Sequence, residues 1–202
     1  MRVNKSLLFA GLFLVACLAG LQIWMGMNPE PGNTLSEKPQ GAPFTLQSQA
    51  GAFSLTDLED DQLALIYFGY TWCPDICPMS MTFMSRALEL VPQELRQDLQ
   101  PIFISVDPAR DTPERLAAYV DFFEANILGL TGEPEYLRDL AQKYGVFYQQ
   151  VELDSAMGYA IDHTSEFYLV NNQGQLLQTL NHSNSGRELA EALTTALQNP
   201  IQ

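Results

Sequence analysis

Apolar positions along the chain fall into three kinds of run, and each kind predicts a different element. Residues 7–27 are apolar apart from Gln22, long enough to span a bilayer as a helix, which takes about 20 residues. Residues 63–70 are a short continuous apolar run rich in β-formers, the mark of a strand buried on both faces, and 102–106 read as a second buried strand. Residues 79–95, 112–125, 133–144 and 185–197 carry apolar residues at helical spacing, as with Leu116, Tyr119, Val120 and Phe123, and predict amphipathic helices. Pro113 suits the first turn of its helix, Gly145 stops the next, and Ser185 or Asn184 caps the last.

Shorter segments complete the pattern. Residues 44–46 and 53–55 read as a small hairpin, 127–130 as a short strand and 146–153 as a strand of alternating character. Residues 166–170 and 175–180 flank Asn171-Asn172-Gln173-Gly174 as a second hairpin. Strands alternating with helices, then a hairpin and a final helix, give an α/β domain: a mixed sheet flanked by helices, in the order of a thioredoxin-like fold. The chain thus divides into a membrane anchor at residues 1–27, a linker rich in Pro, Gly, Ser and Glu at 28–43, and one folded domain at 44–202.

Arg2 and Lys5 precede the apolar run, and the next basic residue is Lys38. That asymmetry puts the N-terminus in the cytoplasm and the domain on the outer face of a cytoplasmic-type membrane, periplasmic in a Gram-negative cell. A cleaved secretory signal asks for a shorter apolar core and an A-x-A site, which is absent. Leu14-Val15-Ala16-Cys17 resembles a lipoprotein signal, although the apolar run continues to Met27 where such a signal turns polar. An uncleaved helix and a lipidated Cys17 agree on location.

Charge changes the picture further. The 202 residues hold 10 Lys plus Arg against 24 Asp plus Glu, a net charge of -14. Such a chain repels a phosphate backbone, which argues against a nucleic-acid partner. Three cysteines are too few for a disulfide-stapled scaffold, so attention falls on particular thiols.

Cys73 and Cys77, in Thr71-Trp72-Cys73-Pro74-Asp75-Ile76-Cys77-Pro78, follow a buried strand and precede a helix, at the sheet edge where α/β folds put their sites. Pro78 suits the first helical position, so Cys77 is expected at the cap and Cys73 in the preceding loop. Both sulfurs would then face the positive end of the helix dipole, which favours thiolate, metal binding and thiol exchange. The bland alternatives are two small buried hydrophobes or a plain disulfide. Haem attachment is excluded because three residues separate the cysteines and Pro78 follows.

His163, in Asp162-His163-Thr164-Ser165, is expected in a loop facing the cysteines. Two thiolates and an imidazole form a soft set of low coordination number that suits copper, whereas zinc asks for a fourth ligand. A loop histidine that only hydrogen-bonds its neighbours is the alternative. Asp111 or Thr112 is expected to cap the following helix, with Asp107 either local to that turn or close enough to the cysteines to tune them. Asp75 reads as a turn residue, Met81 and Met84 as core, and His182 as exposed.

Cys73-Pro74-Asp75-Ile76-Cys77-Pro78, the run from Phe103-Ile104-Ser105-Val106-Asp107-Pro108 to Ala109-Arg110-Asp111-Thr112-Pro113, and Asp162-His163-Thr164 before Phe167-Tyr168-Leu169-Val170 together resemble the Sco/SenC family. The likeness runs from about Phe44 to the C-terminus. It implies a thioredoxin-like, membrane-tethered copper chaperone whose ligands are Cys73, Cys77 and His163, and whose acceptor is the copper A centre of cytochrome c oxidase subunit II. Loading then requires a thiol reductant, because a Cys73–Cys77 disulfide removes both sulfur ligands. Two other roles are compatible with the same residues: a thiol-disulfide oxidoreductase, the one enzymatic reading, and a copper or redox sensor. Trp72 departs from the family, where histidine or phenylalanine is common. The cis-proline that general disulfide oxidoreductases carry opposite the cysteines has no counterpart at residues 162–165.

Overall fold

The structure is a computed structural model and describes residues 16–20, 22, 38–123, 125–182 and 185–198. The chain separates into two units, residues 1–37 and 38–202. In the first, residues 16–20 and 22 are helical and exposed, Cys17 included. The remainder of the expected anchor, and linker residues 28–37, lie outside the described residues. Among the described residues no helix is long and apolar enough to cross a membrane.

The second unit opens with a hairpin, β1 (Thr45–Ser48) and β2 (Gly51–Ser54). Its turn is tighter than the apolar pattern implied, because Gly51 takes φ +117°, a conformation that L side chains disfavour. β3 (Leu63–Gly69), α1 (Ile76–Leu90), α2 (Gln93–Arg96) and β4 (Leu99–Ser105) follow. The single helix expected over residues 79–95 is two, since Pro92 forces Val91 into an extended conformation and ends the first. Then come α3 (Pro113–Asp121), β5 (Leu128–Leu130) and α4 (Pro134–Lys143), which stops before Gly145 at φ +72°. The chain closes with β6 (Tyr148–Glu152), β7 (Tyr159–His163), β8 (Phe167–Asn171), β9 (Leu176–Leu180) and α5 (Gly186–Gln198). Ser185 and Glu188 form the capping box of α5, each side chain bonding the other's backbone N–H.

The main sheet has the order β5-β4-β3-β8-β9. β3, β4 and β5 run parallel, while β8 pairs antiparallel to β3 and β9 antiparallel to β8. The mixed sheet and flanking helices are the thioredoxin-like arrangement that the order of elements predicted. β3 is its middle strand, and all seven of its residues are buried. Burying each large apolar side chain contributes about 1.5–3 kcal/mol, so Leu65, Ile66 and Phe68, all fully buried, fix this strand firmly. β6 and β7 pair only with each other, in a separate two-stranded sheet. β7 was not among the expected strands, since His163 was expected in a loop.

Candidate metal centre

The cysteine corner begins where β3 runs out at Gly69. Thr71 is tied back to the sheet by Asp111, whose buried carboxylate accepts from the Thr71 N–H at 2.9 Å, the Thr71 hydroxyl at 2.6 Å and the Ser105 hydroxyl at 2.7 Å. Asp111 is therefore a strut between β4 and the cysteine loop and not a helix cap. That task falls to Thr112, which accepts from the Arg115 N–H. Arg115 also donates to the Thr71 hydroxyl at 2.6 Å and lies 4.7 Å over the Trp72 ring.

The expectation that Cys77 caps its helix is corrected. Asp75 holds the cap position, Ile76 is the first helical residue, and Cys77 and Pro78 lie within the first turn. Proline is tolerated there because first-turn N–H groups have no helical partner. The Cys77 N–H is such an orphan donor, and it points at the Cys73 sulfur at 3.4 Å. Cys73 thus receives the end of the helix from the loop, half-exposed, while Cys77 is fully buried.

His163 ends β7 and does not sit in a loop. Strand alternation points Tyr159, Ile161 and His163 to one face, and the imidazole Nε2 lies 3.3 Å from the Cys77 sulfur. Its Nδ1 lies 2.9 Å from the Thr164 carbonyl, which can only accept. Nδ1 therefore carries a hydrogen, and Nε2 is the nitrogen turned toward the sulfurs and available to a metal. Tyr67 and Tyr70 meet the imidazole edge-on, with ring centroids at 6.1 and 5.9 Å.

The two sulfurs and the imidazole nitrogen lie within 4.8 Å of one another. Metal bonds of about 2.0–2.3 Å to nitrogen and sulfur put the donors of a three-coordinate site roughly 3.5–4 Å apart, so a small closure completes the set. The donor chemistry is soft, which fits copper better than harder ions.

The two thiols are electrostatically unlike. Cys73 is pushed down, first by the Cys77 thiol donating to it; burial opposes this, and hydrogen bonds from His163 and from the backbone N–H groups of Cys77 and Asp75 push it down further. Cys77 is pushed up because it is the donor of that pair, is buried, and sits beside a thiolate. The first proton thus leaves from the half-exposed sulfur and the second is held on the buried one.

Other expectations resolve simply. Asp75 is an exposed residue of the turn, Met81 and Met84 are core, and Met79 is exposed beside the cysteines. Asp107 is buried, but Arg110 at 2.5 Å and the Tyr159 hydroxyl at 2.8 Å neutralise it, which removes it as a free charge near the sulfurs. His182 is half-buried, not exposed, and stands apart from the cluster. Sequence reading missed Tyr70, Arg110 and Tyr159. The alternation Tyr159, Ile161, His163 was the available signal, since it marks a strand and puts all three on one face.

The chain is similar to proteins of one family. Residues 32–198 match the SCO1/SenC family model. An SCO2-like protein of Rickettsia prowazekii is 39% identical over 152 residues, covering 75% of this chain and 74% of the relative. The structure of Bradyrhizobium japonicum ScoI with copper bound has a TM-score of 0.68 at 34% identity, covering 77% of this chain and 98% of its own. BsSco, in which a disulfide switch was identified and which belongs to the Sco family of cytochrome c oxidase assembly proteins, has a TM-score of 0.61 at 26% identity, covering 81% of this chain and 96% of its own.

Proposed function

The chain belongs to the SCO1/SenC family, and from that premise we propose that it binds copper through Cys73, Cys77 and His163 and delivers it to the copper A site of cytochrome c oxidase subunit II. The observation that carries the reading is the convergence of two sulfurs and an imidazole whose Nε2 is turned toward them, 86 positions apart in sequence between Cys77 and His163. Three donors of low coordination number suit transfer, because an incoming thiolate or imidazole has room to bind before a resident ligand leaves. Cys73 is the entry point: it is half-exposed, holds the more stable thiolate, and follows the exposed Trp72 in the chain. No covalent bond in a substrate is broken, so the role is carriage and not catalysis.

The same reading places the domain on the outer side of a cytoplasmic-type membrane, periplasmic in a Gram-negative cell, held by residues 1–27. The domain plan is anchor 1–27, linker 28–43 and copper-binding domain 44–202. Loading requires a thiol reductant, since oxidation of the pair to a disulfide removes both sulfur ligands. Copper titration of the reduced protein tests the reading. Wild type takes up one ion with high affinity, and Cys73→Ser and His163→Ala each lose affinity. Unchanged stoichiometry and affinity in both variants would end it.

A second reading has its own support: a lowered Cys73 over a buried, raised Cys77 is also the asymmetry of a nucleophile and resolving pair in thiol exchange. A thiol-disulfide oxidoreductase needs Cys73 and Cys77 but not His163. Full disulfide-reducing activity in His163→Ala, with copper binding severely weakened, favours the exchanger.

A further inference from the structure

The hairpin that carries His163 lies outside the main sheet, joined to it by no ladder of backbone bonds among the described residues. A lone two-stranded hairpin is marginal in water, so side chains must hold β7 against the domain. Arg110 makes the densest set of such contacts. Its Nε donates to the buried Asp107 carboxylate, and its Nη1 donates to the carbonyls of Tyr159 at 3.0 Å and Met157 at 3.4 Å. The guanidinium lies 3.5 Å over the Tyr159 ring and also faces Trp72 and Tyr70 at 5.5 and 5.8 Å. The Tyr159 hydroxyl closes the circuit by donating to the second Asp107 oxygen at 2.8 Å. Two residues on, the Ile161 N–H donates to the Tyr70 hydroxyl at 3.2 Å. After two more comes His163 against Cys77 at 3.3 Å. Tyr159, Ile161 and His163 alternate onto one face, so this edge of β7 is fastened at its start, its middle and its end, and the fastening at its start is Arg110.

We propose that Arg110 is a positioning residue of the metal centre: by clamping the start of β7 to Asp107 and to the aromatic rings of the cysteine loop, it sets how often His163 stands opposite Cys73 and Cys77. The proposal rests on the copper reading above. It gives Arg110 no contact with the metal, so its effect must pass through His163. When a competent arrangement is populated only in part, apparent affinity falls by that fraction.

The test measures Cu(I) affinity of the reduced protein by competition with a chromophoric chelator, in wild type, Arg110→Lys, Tyr159→Leu, His163→Ala and the double variant Arg110→Lys/His163→Ala. Lysine keeps the charge beside Asp107 but loses the planar fork, and Tyr159→Leu leaves the Asp107–Arg110 pair in place, so the two variants carry different risks to folding. Each is expected to weaken Cu(I) binding roughly tenfold, and Arg110→Lys should add nothing in the His163→Ala background. Amide hydrogen exchange at residues 159–163 should quicken in the metal-free variants while exchange in β3 and β4 does not. The imidazole nitrogen coupling in the electron paramagnetic resonance spectrum of the Cu(II) form should weaken. Wild-type affinity in both Arg110→Lys and Tyr159→Leu overturns the proposal, as does a loss that simply adds to that of His163→Ala. Should His163→Ala itself bind copper normally, the ligand assignment falls first and the proposal with it, an outcome distinct from a failure of the clamp alone.

Discussion

Cys73 and Cys77 stand at the end of β3, the middle strand of the main sheet, and at the first turn of α1. His163 ends a two-stranded hairpin that pairs with nothing else and whose other strand, β6, is mostly exposed. The sulfur side is held by backbone ladders, a buried core and the Asp111 strut. The nitrogen side is held by side chains alone. The difference teaches that the cluster is built from one half fixed by backbone and core and one half fixed by side-chain contacts. In the proposed copper role, the more secure half would carry the softer ligands, and the imidazole would be the ligand placed on the separate hairpin.

The largest expected effect breaks the fixed half outright. Cys73→Ser or Cys77→Ser should abolish measurable Cu(I) binding, a loss greater than the roughly 10- to 100-fold typical of removing an outer partner of a metal ligand. His163→Ala should leave weak two-thiolate binding that chelator competition can still detect. Equal losses in the cysteine and histidine variants would erase the distinction between the halves.

Next in size is Asp111→Ala. It leaves the Thr71 N–H and the Thr71 and Ser105 hydroxyls without their acceptor. One buried unsatisfied donor costs about 1–3 kcal/mol, so urea unfolding should show a loss of about 3 kcal/mol. Unfolding at the wild-type midpoint would mean that the cysteine loop does not depend on this strut.

Smaller again is Gly69→Ala. A methyl group there would lie 3.0 Å from the Cys77 sulfur and as close to the rings of Phe103 and Tyr67, and overpacking of this kind costs about 1–3 kcal/mol. Because Phe103 and Tyr67 are fully buried, the sulfur and the helix start must move, and Cu(I) affinity should fall with stability. An unchanged affinity would show that the sulfur position is not fixed from behind.

The smallest effect sharpens the contrast within the cysteine pair. With its pKa lowered, Cys73 remains thiolate as the pH falls below the ordinary thiol value of about 8.5. With its pKa raised, Cys77 remains thiol as the pH climbs above it. Iodoacetamide labelling of Cys73 in the metal-free protein should therefore stay nearly flat from about pH 8 to about pH 6, where an ordinary thiol slows roughly tenfold per unit. Mass spectrometry of the labelled peptides would assign the site, and preferential labelling of Cys77 would reverse the order of the two thiols.

Much of this was legible in the chain. The apolar runs at 63–70 and 102–106 gave the parallel centre of the sheet, and the paired cysteines between a strand and a helix marked the site. Other features were not. Cys77 reads as a cap because Pro78 resembles a helix start, yet the backbone begins its helix at Ile76, since the first turn needs no N–H from proline. Asp111 reads as a cap from its place before Thr112-Pro113, but its carboxylate turns inward to three donors, two of them on Thr71, 40 positions away. β7 was missed although Tyr159, Ile161 and His163 alternate, because five residues are a short window for a period-2 pattern and their pairing partner is β6, up to 15 positions earlier.

What the sequence determined alone is the kind of chemistry and its local frame: two thiols with three residues between them, an imidazole before a buried strand, and an order of elements that admits few folds. What only the tertiary structure decided is which donors meet, which sulfur keeps the proton, and what holds the histidine in place. The reason is that periodicity and capping are written in neighbours a few residues apart, whereas a metal centre is a set of distances between residues that the chain itself keeps far apart. Those distances exist only after β3 is buried and the hairpin is clamped against it.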